Sequence, residues 1–207
     1  MRQHLVPPAS LIGMLAILSG CSTTSTEPFT PAGKIMSQLI QERIDRIPYQ
    51  HKDELLSNLQ WLSQQGEQAI PYLVPALDHE VPKVRSNAAW VLGVIGDKRS
   101  IPFLQSHSED SSPIVRLEIS RSLLLLGDYS HVPELIEGLD SEHSHIRFLC
   151  FSVLSTTTGK KFDYDLREKD EAKRKKSVEQ WRQWWNTQRG DAWFSEKNSD
   201  YAAPGKG

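Results

Sequence analysis

The sequence predicts an all-α solenoid of about three helical-hairpin repeats, with a helical cap at each end of the array. The main observation is that the 207-residue chain aligns with itself at a shift of 31 residues, so that Ile70-Pro71 falls on Ile101-Pro102 and then on Val132-Pro133. The second observation is a helical spacing of apolar residues in the later part of each copy. A two-helix unit of this length cannot bury its apolar face alone, so neighbouring units stack.

Four columns of the repeat hold the same residue in all three copies, whereas average composition gives about 0.1 such columns by chance. These columns are Pro71, Pro102 and Pro133; Leu73, Leu104 and Leu135; Arg85, Arg116 and Arg147; and Leu92, Leu123 and Leu154. Within each unit the first helix begins with the proline, whose missing N–H costs nothing in the first turn. The second helix begins at Pro82, Pro113 or Ser144, and Gly96 and Gly127 end it in the first two copies. The repeats run over residues 70–159.

The first copy carries a family resemblance in the stretch LDHEVPKVRSNAAWVLGVIGDKRSIPFL, residues 77–104. This stretch resembles a HEAT repeat of the short bacterial kind first associated with phycobilisome lyases. The shared features are an acid at the turn, Val-Arg, two small residues, Leu-Gly and Ile-Gly-Asp. The resemblance implies the solenoid fold. It does not imply lyase activity, because it rests on scaffold residues alone.

The arginine column is the unusual feature of these apolar second helices, because a cation near a core needs partners. The resemblance implies that the arginines pair with an acidic row in the same or the next unit. The corresponding acids stand seven residues earlier in each copy and predict three rungs: Asp78 with Arg85, Glu109 with Arg116, and Asp140 with Arg147. We interpret this ladder as fixing the register between units. The alternative is an arginine row that grips an anionic ligand.

Both flanks of the array predict capping helices. Residues 34–66 contain two amphipathic helices that occupy the place of a further unit and lack its arginine. After the repeats, Gly159-x-x-Phe-x-Tyr-Asp165 followed by Trp181, Trp184 and Trp185 resembles the tail that closes many bacterial HEAT arrays. Residues 160–189 are therefore expected to form a loop and a capping helix, and residues 190–207 a flexible tail. The alternative role for the tryptophans is an exposed platform for sugar rings.

The N-terminus predicts export and lipid attachment. Residues 1–20 contain a short apolar core, too short to span a bilayer, followed by Leu18-Ser-Gly-Cys21. This stretch resembles the lipobox of bacterial lipoproteins, which implies acylation of Cys21 and a Ser/Thr/Pro-rich tether over residues 21–33. Ser22, in place of aspartate, favours the outer membrane if the organism is Gram-negative. The alternative is a simple signal peptide with a chance cysteine.

The remaining residues favour a binding module over an enzyme. The chain has 24 Lys and Arg residues against 26 Asp and Glu residues, so its composition gives no indication of nucleic-acid binding. The run Lys173–Lys176 is expected to be a solvated helix face. His143 and His145 match no standard zinc spacing, and no catalytic motif, metal site or cofactor site is predicted. We expect the solenoid to present its surface to another envelope protein. The candidate contacts are Tyr72, Trp90, Phe103 and Arg121. The alternatives are a cell-wall or glycan-binding lipoprotein that uses the Trp-rich end, and a subunit of a larger envelope machine.

Overall fold

The computed structural model describes residues 29–188, which fold into a stack of helix pairs. Within this range there are nine α-helices and no strand, which confirms the predicted all-α solenoid. In chain order they are α1 Lys34–Asp45, α2 Lys52–Gln64, α3 Ile70–Ala76, α4 Pro82–Ile95, α5 Ile101–Ser106, α6 Pro113–Leu126, α7 Val132–Gly138, α8 Ser144–Thr158 and α9 Glu171–Gln188.

The helices form two layers. The second helices α2, α4, α6 and α8 pack in a row, each on the next, and we call this row the second-helix layer. We call the first helices α1, α3, α5 and α7 the first-helix layer; α1 packs on α3, each of α3, α5 and α7 packs on the second helix of its own unit, and α9 packs against α7. In the second-helix layer α4 and α6 approach each other closely at Gly93 of α4, where an added Cβ would lie 2.8 Å from the Cβ of Ser122 in α6. Ser122 Oγ also donates a hydrogen bond of 2.8 Å to the Ala89 carbonyl, so these two helices meet almost backbone to backbone.

The repeat residues set the helix ends. Pro82 and Pro113 stand in the first turns of α4 and α6, and Gly96 and Gly127 follow those helices with φ of 79° and 91°. This left-handed conformation suits glycine, which has no Cβ to clash. The third copy lacks the Gly-Asp pair, yet α8 ends in the same way at Gly159, with φ of 71°.

The described range leaves several predicted segments untested. The expected signal peptide, the acylated Cys21, most of the tether and the C-terminal tail lie outside residues 29–188. Residues 29–33 are described; they precede α1 and contain no helix. None of the helices between residues 29 and 188 combines the length and apolar character needed to cross a bilayer.

Candidate functional site

A groove of about 350 Å³ runs across the second-helix layer. Its residues come from α2, α4, α6 and α8, so four successive helix pairs contribute to one surface. Most of the lining is apolar, namely Leu55, Leu56, Leu59, Trp90, Ile114 and Leu149. The polar lining consists of Lys52, Ser86, Asn87, Glu118 and Arg121.

Several apolar side chains of this layer stay in contact with solvent. Leu56 is 49% exposed and Ile114 is 37% exposed, and Phe148, which precedes the groove residue Leu149, is 55% exposed. Leu56 and Ile114 both line the groove, and exposed apolar side chains brought together on one surface are a feature of interaction sites. The groove is therefore suited to receive the apolar face of a partner.

A buried ion pair lies in the wall of the groove. Arg121 Nη1 donates 2.7 Å hydrogen bonds to both carboxylate oxygens of Glu118, and about a tenth of each side chain is exposed. Burial raises the pKa of Glu118, and the charge and hydrogen bond of Arg121 oppose that rise. Nε of Arg121 is buried without an acceptor among the described residues. The pair thus adds two opposite charges that offset each other to a surface that Lys52, Ser86 and Asn87 also make partly polar.

The arginine column forms clamps on the turns between the paired helices. In each unit the Nη1 atom donates to the carbonyls six and five residues earlier in the chain. The distances are 2.8 and 3.1 Å for Arg85, 2.6 and 3.3 Å for Arg116, and 2.8 and 3.1 Å for Arg147. Each arginine therefore ties the turn before its own helix to that helix through two main-chain oxygens.

The predicted acidic ladder is wrong in its partners. Asp78 bonds His107 at 3.0 Å, Asp140 lies 3.8 Å from Arg174, and Glu109 points into solvent. The acid that reaches the column is Asp110, whose two oxygens accept from Nε and Nη2 of Arg85 at 2.7 and 2.8 Å. The turn carbonyls already hold one edge of the guanidinium, so only a carboxylate on the next turn can reach the other edge.

Within residues 29–188, the first junction between units carries a hydrogen-bonded pair between a clamp arginine and the acid of the next turn. The residue that aligns with Asp110 in the next copy is Ser141, which cannot pair with the charge of Arg116. In the N-terminal helix pair, which lacks a clamp arginine, Lys83 of the following unit donates to the carbonyls of Pro48 and Gln50.

A fourth clamp lies in the run that sequence reasoning treated as a solvated face. Arg174 Nη1 donates to the carbonyls of Glu168 and Lys169 at 3.4 and 3.0 Å, and its side chain is only 11% exposed. The six-and-five spacing is the same as in the other clamps. The shift of 31 residues misses it because Arg174 follows Arg147 by 27.

The four predicted partner contacts fall on two different layers. Trp90 and Arg121 line the groove together, whereas Tyr72 and Phe103 belong to α3 and α5 of the first-helix layer. Sequence reasoning missed Glu118. The sequence contained an indication of it, because Glu118 is an acid in the apolar part of α6 and stands three residues before Arg121.

The tryptophans of α9 pack against the end of the array. Trp181 is fully buried and Trp185 nearly so, while Trp184 is half-buried. The ring of Phe162 meets Trp181 edge-on at 4.9 Å between centroids. An exposed sugar platform in this part of α9 would therefore rest on Trp184.

The third repeat and the C-terminal loop are joined by a buried polar contact, in which the hydroxyl of Tyr164 donates to the Leu139 carbonyl. Nearby in the same cluster, burial raises the pKa of the Cys150 thiol to about 12, so this side chain behaves as a small core residue. Across residues 29–188 no three His, Cys, Asp or Glu side chains are grouped as they would be around a metal ion.

Comparison with known families identifies one match. The family model for HEAT repeats matches residues 39–116, from within α1 to the Arg116 clamp in α6. The match includes the N-terminal helix pair and the first of the three aligned repeats. HEAT repeats commonly mediate protein–protein interaction and scaffolding, and the family is generally non-catalytic. The chain matches no curated protein.

Proposed function

We propose that this chain is a non-enzymatic protein-binding and scaffolding module that holds another envelope protein in the groove of its second-helix layer. The observation that carries the proposal is the groove itself, which apolar residues of four helices line and in which Leu56 and Ile114 are exposed to solvent. The match to HEAT repeats supports it, because such repeats commonly serve protein association.

The lining indicates how a partner segment would bind. Burial of the exposed surfaces of Leu56, Trp90 and Ile114 supplies about 25 cal/mol per Å² of apolar area. Arg121 is tied to Glu118, so the pair adds little net charge, and a strongly charged partner gains little there. The groove therefore favours an apolar or amphipathic segment with polar acceptors at its edge.

The membrane part of the proposal places the module on a bacterial envelope membrane through acyl chains on Cys21, in the outer membrane facing the periplasm if the organism is Gram-negative. The lipobox-like sequence Leu18-Ser-Gly-Cys21 supports it. Two acyl chains make such an anchor stable, whereas one would give marginal binding.

The test is photo-crosslinking in cells that express the full-length chain. A photoreactive residue replaces Leu56 or Ile114 in the groove, and the control replaces Tyr49, a side chain that is 81% exposed and does not line the groove. We expect one protein partner to crosslink at the groove positions, and to be lost when the other groove residue is changed to Asp. Equal crosslinking at Tyr49, or recovery of glycan fragments without a protein, would contradict the proposal.

A further inference from the structure

The first junction between repeats shows how a clamp arginine uses its second edge. The two carboxylate oxygens of Asp110 accept hydrogen bonds from Nε and Nη2 of Arg85 at 2.7 and 2.8 Å. Oδ1 of Asp110 also accepts the N–H of Ser112, two residues later, at 2.7 Å. The carboxylate is therefore fixed by its own turn and fills the space beside the arginine of the preceding unit.

The turn at the second junction makes the same local contact but holds no carboxylate. Ser141 aligns with Asp110, and its Oγ accepts the N–H of His143, also two residues later, at 3.2 Å. Arg116 donates from Nη1 to the two carbonyls of the turn before its helix, and its Nε and Nη2 have no hydrogen-bond acceptor within residues 29–188. Arg116 therefore lacks a partner on the edge that binds a carboxylate at the first junction.

Arg116 and Ser141 line one pocket of about 360 Å³, which we call the Arg116 pocket. Arg116 is half-buried, whereas Arg147, the clamp of the next unit, is only 8% exposed. The lining also includes serines and apolar side chains, namely Ser108, Ser120, Pro113, Leu117 and Ile146. A carboxylate from another molecule is the group that matches the unpaired guanidinium edge, because its two oxygens accept two parallel N–H bonds.

Two acids in the lining narrow the class of ligand. Glu109 and Glu134 both line the Arg116 pocket and are exposed to solvent. Their charges oppose the entry of a small free anion, whereas positive groups beside the entering carboxylate would offset them. The remaining titratable group of the lining is His131, whose Nδ1 lies 3.9 Å from Glu134. The lining therefore favours an acidic side chain that has a lysine or an arginine next to it.

We propose that the Arg116 pocket binds one Asp or Glu side chain of a protein partner, at a point where basic residues flank that acid. The partner carboxylate takes the place that Asp110 fills at the first junction and accepts from Nε and Nη2 of Arg116. Two residues separate Arg116 from each of the groove residues Ile114 and Glu118, so it points to a different side of α6. The pocket is therefore a second binding site, and it does not depend on whether the groove holds a partner.

Peptide titrations followed by NMR test the site. The Nε–Hε resonance of Arg116 in the full-length chain reports on the guanidinium directly. Arg116 itself is not replaced, because its loss would also remove the turn clamp. The probe is the blocked peptide acetyl-Gly-Lys-Asp-Lys-Gly-amide, and two matched peptides carry Asn in place of Asp or Gly in place of both lysines.

We expect the Arg116 resonance to shift to saturation with the Asp peptide. The Asn peptide should bind about tenfold more weakly, because it loses the charge and one of the two acceptors. The peptide without lysines should bind about twofold to fivefold more weakly, because exposed charge pairs contribute modestly. Absence of a saturable shift, or equal affinity for the Asp and Asn peptides, would overturn the site. Equal affinity without the lysines would overturn the basic flank of the partner acid.

Two variants at the second junction test where the peptide binds. Ser141→Asp supplies a carboxylate to Arg116 from within the chain, so the peptide should no longer shift the resonance. Ser141→Asn supplies no charge and should bind the peptide as wild type does. Undiminished binding by Ser141→Asp would overturn the site. Leu56→Asp in the groove should leave the affinity for the peptide unchanged, which separates failure of this site from failure of the groove.

Discussion

The contact between Asp110 and Arg85 joins the first two repeats and gives the sharpest prediction from the structure. Both side chains are about 90% buried, and two hydrogen bonds of 2.7 and 2.8 Å connect them. Asp110→Asn keeps the shape but removes the charge and turns one acceptor into a donor that faces the guanidinium. Loss of one partner from a buried pair costs about 3–5 kcal/mol, and a hydrogen bond to a charged group is worth about 1.5–3 kcal/mol.

The expected loss lies near the lower end of these ranges. Arg85 keeps its hydrogen bonds to the carbonyls of His79 and Glu80, so its charge is not left without acceptors. We therefore expect Asp110→Asn to lower the free energy of unfolding by about 2 kcal/mol, measured by urea denaturation followed by circular dichroism.

The matched control is Glu109→Gln, one residue earlier and exposed to solvent. It is the acid that the sequence placed in the ladder, and we expect it to change the unfolding free energy by less than about 0.5 kcal/mol. Equal losses in Glu109→Gln and Asp110→Asn, or no loss in either, would refute the assignment of Asp110 as the inter-repeat partner.

The pH dependence of the same pair gives a second check. The hydrogen bond from Arg85 lowers the pKa of Asp110 in the folded chain. A carboxyl with a lowered folded pKa stabilises the fold above its unfolded pKa, about 3.9, and loses that contribution as pH falls through the folded value. The difference between wild type and Asp110→Asn should therefore be fully present at pH 5 and should shrink as the pH falls below about 3.9.

Three further predictions concern other contacts. Ser141→Asp places a carboxylate at the position that aligns with Asp110, so we expect it to pair with Arg116. The free energy of unfolding, measured by urea denaturation, should rise by about 1 kcal/mol. No gain would show that the second junction has a different geometry. Trp181→Ala removes a fully buried ring and should cost about 3–5 kcal/mol, clearly more than the half-buried control Trp184→Ala in the same assay. Burial opposes the charge of His107, but hydrogen bonds to a carbonyl and a carboxylate together raise its pKa. The stabilisation that His107 provides is therefore complete below pH 6.5 and is lost as the pH rises through the pKa of the folded state. Urea denaturation at a series of pH values between about 6 and 8 should show this loss, and His107→Gln should remove the pH dependence.

The fold was predictable from the sequence because the same pattern of helix-forming and helix-ending residues occurs in three copies. Proline at the start, apolar residues at helical spacing and glycine at the end specify each helix locally, and the period specifies how the helices stack. Gly96 and Gly127 illustrate this, since each ends its helix where the alignment places it.

The partners within the site were less predictable, because the alignment compares columns and not distances. Glu109 and Asp110 are adjacent acids, and the periodic column selects the first, but only the second has oxygens that reach Arg85. Ile114 presents a similar problem. It belongs to an apolar helix, and nothing in the spacing distinguishes a residue that faces the groove from one that faces the core.

The clamp arginines bind main-chain oxygens, and this choice of acceptor makes the unit transferable. Every turn of the same path offers the two carbonyls whatever side chains it carries, as the dissimilar turns before Arg85, Arg147 and Arg174 show. Turn residues can therefore change without loss of the clamp, while the arginine cannot. A unit copied and inserted into the array would bring its own turn clamp with it, and its neighbours would need to match its apolar faces and to supply the partner of its arginine, as Asp110 does for Arg85.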